Sequence, residues 1–277
     1  MSTYVKTLFK LIILTLFTTA SIHAVTRIMP LGDSITYDNN HNDVENPRPS
    51  SLRTGYRSHL WYGLKAAGYS ADFVGTRIAG EKVEPPFDPD NEGHPGWTSY
   101  DIAENVYSYL EHSKPDIILL HIGTNDHRTS TRGVESILNE IDHYERNSNH
   151  RIHVLVALII DRQTHDPIIT VFNKNLRNLI TLRRSNGDIV TLVDMNGKAG
   201  LTHDDYADNT HPNDNGYKKM ANVWLKAIQT PFKPFNTSLS AYPTNLVDSN
   251  NIISVKIDEA QNKVEFTTNV PDNGITF

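Results

Sequence analysis

The chain has 277 residues, enough for one large domain or for one domain with an appendage. Charged residues make up 21% and hydrophobic residues 38%, a globular composition that excludes an intrinsically disordered chain. The formal net charge is −6, so the surface does not favour nucleic acid or anionic lipid. There is no Cys, which excludes disulfides, a thiol nucleophile and a Cys-based zinc site.

The first 24 residues predict a secretory signal peptide. Lys6 and Lys10 give a basic start, and residues 11–17 form an apolar segment too short to span a bilayer. Small and polar residues then lead to a cleavage point after Ala24. A short membrane anchor is the alternative. We expect a protein secreted to the extracellular space or the periplasm, with no stable membrane association after cleavage.

Apolar runs alternate with amphipathic stretches from residue 25 to about residue 229. The runs predict strands at 25–31, 71–74, 116–121, 154–160 and 189–193. The amphipathic stretches predict helices at 57–67, from 98 or 99 to about 111, near 133–144, at 168–183 and at 213–228. Residues 77–96, rich in Pro, Gly and Asp, predict a long surface loop. The fold class is therefore α/β, with a five-stranded parallel sheet covered on both faces.

The end of the chain differs in pattern. Residues 230–277 combine a Pro-containing linker with two short β-like runs at 252–257 and 263–267, which predict a hairpin. This extension either packs on the main domain or begins a truncated β-module. The predicted organisation is a signal peptide at 1–24, a catalytic domain at 25–229 and the extension at 230–277.

Three polar clusters follow predicted strands and therefore share one edge of the sheet. Ser34 follows the first strand, residues 123–126 follow the third, and residues 208–211 follow the fifth. Ligands of parallel α/β sheets bind at this edge. A serine nucleophile needs a base, an orienting acid and oxyanion donors, and these clusters hold candidates for each part. Taken alone, Ser34 is better explained as a turn residue that ends the strand.

Asp208 and His211 are the candidates for the acid and the base. They lie three residues apart in a loop before a helix, a spacing at which the carboxylate can reach one ring nitrogen and leave the other for Ser34. The alternative is an entry loop in which Asp208 bonds nearby amides and His211 is a surface residue.

Asn125 and Gly96 are the candidate oxyanion donors beside the Ser34 amide. Asn125 carries a side-chain N–H group, and Gly96 precedes a helix start, where backbone N–H groups are unpaired. Gly75 is an alternative to Gly96. The neighbouring Trp97 is a candidate for contact with substrate, or else a core residue in a Pro-Gly turn.

In their order, these motifs resemble the blocks of the SGNH (GDSL-like) hydrolase family, which are Gly-Asp-Ser, a Gly, Gly-x-Asn-Asp and Asp-x-x-His. Here they are residues 32–34, Gly96, residues 123–126 and residues 208–211. The resemblance spans about residues 25–229. It departs from the family where GDSI replaces the commoner GDSL, and where a polar insertion over 37–54 separates Ser34 from the first long helix. It implies a flavodoxin-like three-layer α/β/α sandwich.

The resemblance also implies roles. Ser34 is expected to attack the acyl carbon, His211 to carry the proton and Asp208 to hold the His tautomer. The N–H groups of Ser34 and Gly96 and the amide of Asn125 are expected to stabilise the oxyanion. Four further residues near these motifs are predicted to contact substrate: Asp33, Tyr37, Trp97 and Asp126. No cofactor or metal is expected, because the acidic residues 202–208 lack the spacing of a calcium loop.

The stretch from residue 91 to residue 102 resembles the corresponding block of carbohydrate esterase family 3, secreted enzymes that deacetylate xylan. This implies a secreted carboxylic ester hydrolase that removes O-acetyl groups from a polysaccharide such as acetylated xylan. The alternatives are a generic secreted lipase or acyl-esterase, an acyltransferase with the same triad, and a non-catalytic glycan-binding protein. The expected partners are an acylated polysaccharide or a small ester, not nucleic acid, and the expected state is a monomer.

Overall fold

The computed structural model describes residues 25–231 and two strands farther along the chain, at 252–258 and 263–268. The predicted signal peptide and most of the predicted linker lie outside the described residues. Among the helices that are described, none is long and apolar enough to cross a membrane. The division into signal, catalytic domain and extension therefore stays a prediction.

One mixed sheet organises the described part of the chain. Its strands are β1 Thr26–Gly32, β2 Ala71–Phe73, β3 Arg77–Ile78, β4 Asp90–Gly93, β5 Ile117–His121, β6 His153–Ala157 and β7 Val190–Val193. Their spatial order is β3–β4–β1–β5–β6–β7, and β2 also pairs with β1. Every pairing is parallel except that of β3 with β4. Because β2 pairs with the start of β1 and β4 with its end, these two short strands share one side of β1.

Helices cover both faces of this sheet. They are α1 Ser34–Tyr37, α2 Asn42–Glu45, α3 Gly55–Ala66, α4 Ser99–Ser113, α5 Arg132–Ser148, α6 Pro167–Ser185, α7 Met195–Ala199 and α8 Asp214–Gln229. Helices α4, α5 and α6 contribute to one apolar cluster, and α3, α7 and α8 to another. The start of α4 is fixed by Thr98, whose hydroxyl and backbone N–H exchange hydrogen bonds with Asp101.

The strands supply side chains to both clusters in turn. In β5, Ile118 and Leu120 belong to the cluster of α4, α5 and α6, whereas Leu119 belongs to that of α3 and α8. Successive strand residues point to opposite faces, so a strand covered on both faces is apolar throughout. This arrangement confirms the predicted three-layer α/β/α sandwich.

The predicted strand count was wrong, because β3 and β4 lie within residues 77–96, which were predicted as a loop. The sequence of β4 is Asp-Asn-Glu-Gly, which contains no apolar side chain that would signal a strand. Its Asn91 and Glu92 are nonetheless fully buried, and Glu92 accepts hydrogen bonds from the backbone N–H and hydroxyl of Thr76. At the other end of the chain, β8 Ile252–Asp258 pairs antiparallel with β9 Lys263–Thr268, the pairing that the hairpin prediction requires.

Candidate active site

Ser34 begins a one-turn helix at the carboxyl end of β1. Asp33 caps this helix by accepting a hydrogen bond from the backbone N–H of Ile35 at 2.9 Å. The preceding Gly32 is required by space, since a Cβ there would lie 2.3 Å from the carbonyl oxygen of His121. The local sequence therefore fixes Ser34 at the sheet edge, where its side chain is almost completely buried.

The side chains of Ser34, His211 and Asp208 form a continuous chain of contacts. Ser34 Oγ lies 2.9 Å from His211 Nε2, and His211 Nδ1 lies 2.9 Å and 3.0 Å from the two carboxylate oxygens of Asp208. A carboxylate is an acceptor only, so Nδ1 carries the hydrogen and Nε2 is free to accept the Ser34 proton. This is the arrangement of nucleophile, base and orienting acid that acyl transfer by serine requires.

The loop that holds Asp208 and His211 is closed on itself. Tyr206 and Pro212 form an isolated antiparallel bridge, and the backbone N–H of Ala207 donates to the carbonyl of His211 at 2.8 Å. A tight loop, and not a helical turn, therefore places the side chains of Asp208 and His211 next to each other.

Asp208 is held in its ionised form. Burial raises the pKa of its carboxyl, but backbone N–H groups of His41, Thr210 and His211 donate to it at 2.7–2.9 Å and bring the pKa down to about 2. Hydrogen bonds to a charged carboxylate favour that form. At neutral pH Asp208 therefore carries a negative charge beside the ring of His211.

His211 is held in its neutral form. Burial lowers its pKa below the ordinary value, and the nearby charges of His41 and Arg162 act in the same direction. The carboxylate of Asp208 opposes them without cancelling the effect of burial. An imidazole that is neutral at physiological pH can act as a general base.

The candidate oxyanion donors lie on loops that contact one another. Asn125 donates one side-chain N–H to the carbonyl of Trp97 at 2.9 Å, which leaves its second amide hydrogen for another acceptor. Gly96 is exposed and has a φ of +81°, a conformation that favours glycine. The backbone N–H of His94 donates to the carbonyl of Gly32, which ties this turn to the end of β1.

Gly96, and not Gly75, lies in the turn that is tied to the nucleophile strand. A Cβ at Gly75 would lie 2.1 Å from the carbonyl oxygen of Asn91, so Gly75 is explained by its close packing on β4. Within the described residues, the backbone N–H groups of Ser34 and Gly96 have no hydrogen-bond acceptor in the protein. Both are therefore available to a ligand.

Two of the predicted substrate contacts are corrected by the structure. Asp33 is fully buried, and Asp126 is buried with its two carboxylate oxygens accepting from the backbone N–H and hydroxyl of Ser99. Both carboxyls lie beneath the surface, where they cap helices. Burial raises the pKa of Asp33 to about 7, against the lowering effect of the hydrogen bond from the Ile35 N–H.

The two aromatic candidates remain accessible. The half-buried ring of Trp97 stacks on His94 with ring centroids 4.2 Å apart. Tyr37 is also half-buried, and the guanidinium of Arg77 lies over its ring at 4.6 Å. Their contact with substrate stays a prediction.

Two residues that the sequence reasoning missed contact the catalytic loop. His41, in the polar insertion, donates its backbone N–H to Asp208 Oδ2 at 2.9 Å, and its ring lies edge-on to that of His211 at 5.1 Å. Arg162 donates to the hydroxyl of Thr210 and to the carbonyl of Thr124. Each contact joins residues far apart in sequence, so no local motif signals it.

Comparison with known proteins identifies the family. The family model described as GDSL-like Lipase/Acylhydrolase matches residues 28–224. A multidomain esterase of Ruminococcus flavefaciens is 27% identical over 81% of this chain, although the chain spans only 31% of that protein's length. Among solved structures, an acetyl esterase mutant with acetate ion is 30% identical, covering 74% of this chain and 97% of its own, with a TM-score of 0.61.

A second solved structure is a carbohydrate esterase family 3 protein from Talaromyces cellulolyticus. It is 31% identical, covers 74% of this chain and 97% of its own, and has a TM-score of 0.59. The region that the family model matches contains the seven-stranded sheet except for the first two residues of β1, and it contains Ser34, Asp208 and His211. The chain belongs to the GDSL-like lipase/acylhydrolase family.

Proposed function

We propose that this protein is a secreted serine esterase that removes O-acetyl groups from a polysaccharide such as acetylated xylan. The observation that carries the chemistry is the 2.9 Å contact between Ser34 Oγ and His211 Nε2, with Asp208 on the opposite ring nitrogen. The similarity to an acetyl esterase and to a carbohydrate esterase family 3 protein supports the acyl group and the class of acceptor.

The first half of the reaction forms an acyl-enzyme. Ser34 Oγ attacks the acyl carbon while His211 Nε2 takes its proton, and the charge of Asp208 stabilises the resulting imidazolium. The oxyanion accepts hydrogen bonds from the backbone N–H groups of Ser34 and Gly96 and from the second amide hydrogen of Asn125. When the tetrahedral intermediate collapses, His211 returns the proton to the departing sugar hydroxyl.

Water completes the cycle. His211 takes a proton from water as its oxygen attacks the acyl carbon, and the same donors stabilise the second oxyanion. Collapse releases acetate and returns the proton to Ser34 Oγ. We place the sugar against the half-buried rings of Trp97 and Tyr37, since aromatic side chains offer both apolar area and a polar edge.

The test is acetate release from acetylated xylan, with a series of synthetic esters from acetyl to long-chain acyl. We expect hydrolysis of the acetyl substrates, covalent labelling of Ser34 by an organophosphate, and a loss on the order of 10⁴-fold or more in Ser34→Ala. Wild-type rates in a verified Ser34→Ala protein would contradict the mechanism. Preference for long acyl chains would indicate a lipase, and glycan binding without turnover a binding protein.

Export and oligomeric state are separate parts of the proposal. The basic start, short apolar segment and small residues before Val25 support a cleaved signal peptide. Expression of the full chain with N-terminal sequencing of the exported product should give Val25 as the first residue. Light scattering on that product should give the mass of a monomer, and a cell-retained, uncleaved product would contradict secretion.

A further inference from the structure

We propose that His41, Asp208 and His211 form a binding site for a divalent transition-metal ion such as Zn²⁺, and that the bound ion reversibly inhibits the esterase. The inhibition rests on the proposed function, whereas the binding of the metal does not require that the protein hydrolyse esters.

The three side chains converge on one point, and two of the three pairs are close to the spacing of a metal site. One ligand atom from each lies within 4.8 Å of the other two. His41 Nδ1 is 3.7 Å from Asp208 Oδ2, and the same oxygen is 2.9 Å from His211 Nδ1. In a tetrahedral zinc site with bonds of about 2.0–2.2 Å, neighbouring ligand atoms lie about 3.3–3.6 Å apart. Shifts of a few tenths of an ångström would therefore suffice for these two pairs.

The site combines a fixed pair with an adjustable third ligand. The side chains of Asp208 and His211 are 13% and 7% exposed and held by the closed catalytic loop, whereas that of His41 is 68% exposed. His41 can therefore rotate toward an ion that arrives from solvent. Within the described part of the chain, this is the one group of three or more metal-ligating side chains.

The donor set selects the kind of ion. Two imidazoles and one carboxylate, with water in the fourth position, suit Zn²⁺ and other late first-row ions. Mg²⁺ and Ca²⁺ prefer sites made wholly of oxygen.

Metal binding at His211 Nδ1 removes the general base. An ion on His211 Nδ1 displaces the hydrogen shared with Asp208, and the neutral ring then carries its hydrogen on Nε2, where it can no longer accept the Ser34 proton. Inhibition should therefore lower kcat and be reversed when a chelator removes the ion.

The variants for the test are His41→Asn and, as a matched control, His165→Asn. His165 is 65% exposed, and its Nδ1 contacts Asp161, so it is also an exposed His beside a carboxylate but has no third ligand. His41→Asn keeps the backbone N–H that Asp208 accepts and removes only the imidazole. Ser34→Ala provides a protein in which metal binding can be measured without any hydrolysis.

Two measurements are made on tag-free protein. Calorimetric titration of the Ser34→Ala protein with Zn²⁺ should show one site, and adding His41→Asn should weaken it by about tenfold or more, since loss of even an outer partner of a metal ligand costs about 10–100-fold. Hydrolysis of a small acetyl ester should be inhibited by Zn²⁺, restored by EDTA and unaffected by Mg²⁺ or Ca²⁺. His41→Asn should raise the inhibitory concentration by a similar factor, and His165→Asn should not.

Three results would overturn the proposal: no calorimetric binding at millimolar Zn²⁺, equal affinity in His41→Asn, or inhibition that the His41 substitution does not shift. A protein that binds Zn²⁺ at this site but hydrolyses no ester would refute the proposed function and leave the metal site in place. An active esterase without calorimetric binding would refute the metal site alone.

Discussion

The ionised state of Asp208 depends on three backbone donors. Their hydrogen bonds outweigh the effect of burial and hold the pKa at about 2. The same carboxylate bonds His211 Nδ1 through both of its oxygens. The acid therefore fixes the orientation and the tautomer of the imidazole and does not need to exchange a proton itself.

Replacing Asp208 with Asn should reduce kcat on the order of 10⁴-fold, as in other Ser-His-Asp triads, because the amide allows the wrong tautomer of His211. The fold should be retained. Steady-state kinetics with circular dichroism would test both statements. Asp204→Asn is the matched control, because Asp204 is almost fully exposed in the same segment, and a similar loss in that variant would argue against a specific role for Asp208.

Asn125 allows a test of the oxyanion hole. Its side-chain amide donates one hydrogen to the carbonyl of Trp97, and the second amide hydrogen can donate to the oxyanion. We expect Asn125→Ala to lower kcat by roughly 10²–10³-fold, the usual cost of one oxyanion donor. The KM for a small acetyl ester should change little, because the oxyanion forms only in the transition state. A loss confined to KM would instead indicate a role in substrate binding.

At the scale of elements, the insertion after α1 is held by a compact ionic network. The Arg53 guanidinium donates to Asp43 Oδ2 and to the carbonyl of Asp38 at 2.7–2.8 Å. Arg48 also pairs with the carboxylates of Asp43 and Asp38. Although burial raises the pKa of the Asp43 carboxyl, the Arg48 and Arg53 guanidiniums and nearby backbone N–H groups hold it well below its usual range. This network positions His41 against Asp208.

Substituting Arg53 with Met should destabilise the protein by about 3 kcal/mol, the lower end of the cost of removing one partner of a buried ion pair, because Arg48 still contacts Asp43. The catalytic rate should also fall, since the insertion supplies an N–H donor to Asp208. Urea denaturation and kinetics would measure the two effects. Arg48→Met should cost less, as the Arg48 side chain is 38% exposed against 7% for Arg53, and the reverse order would refute this account.

At the scale of the whole molecule, sheet topology explains how much the sequence could predict. The sequence could predict Ser34 and His211 because the end of each apolar run marks the end of a strand. Parallel strands all end at the same edge of the sheet, so the polar residues that follow them lie together. The strand β4 was missed because its buried residues, Asn91 and Glu92, are stabilised by hydrogen bonds that leave no hydrophobic pattern. His41 was missed because it meets Asp208 across 167 residues of sequence.

Two buried groups at the ends of β1 and β5 give opposing pH dependences of stability. His121 is buried and neutral, and burial lowers its pKa to about 4. In the unfolded chain its pKa is about 6.5, so below this pH the unfolded chain binds a proton that the folded protein does not. The contribution of His121 to the free energy of unfolding is therefore present above pH 6.5 and is lost as the pH falls toward 4. Asp33 has its pKa raised by burial to about 7, so the folded protein keeps a proton that the unfolded chain releases above about pH 4. Acidification from pH 7 to pH 4 therefore increases the free energy of unfolding through Asp33.

Between pH 6.5 and 5 the Asp33 contribution therefore offsets the loss of stability at His121. In Asp33→Asn this offset is absent, and stability should fall on acidification more steeply than in the wild type, by up to about 1.4 kcal/mol per pH unit. Denaturant unfolding of both proteins at a series of pH values would measure the two slopes. Equal slopes would show that Asp33 does not hold its proton in the folded state.

The one-turn helix that carries Ser34 has a consequence for engineering. Three residues beneath Ser34 form the floor of the site. Gly32 packs against the His121 carbonyl, and Asp33 and Asp126 accept hydrogen bonds from backbone N–H groups at helix starts. Substitutions at these three positions should therefore disturb the position of Ser34. The walls come from the insertion after α1 and the turn around Trp97, which do not form part of the sheet. Libraries aimed at a new acyl group or a new leaving alcohol should vary these two segments and keep the floor constant.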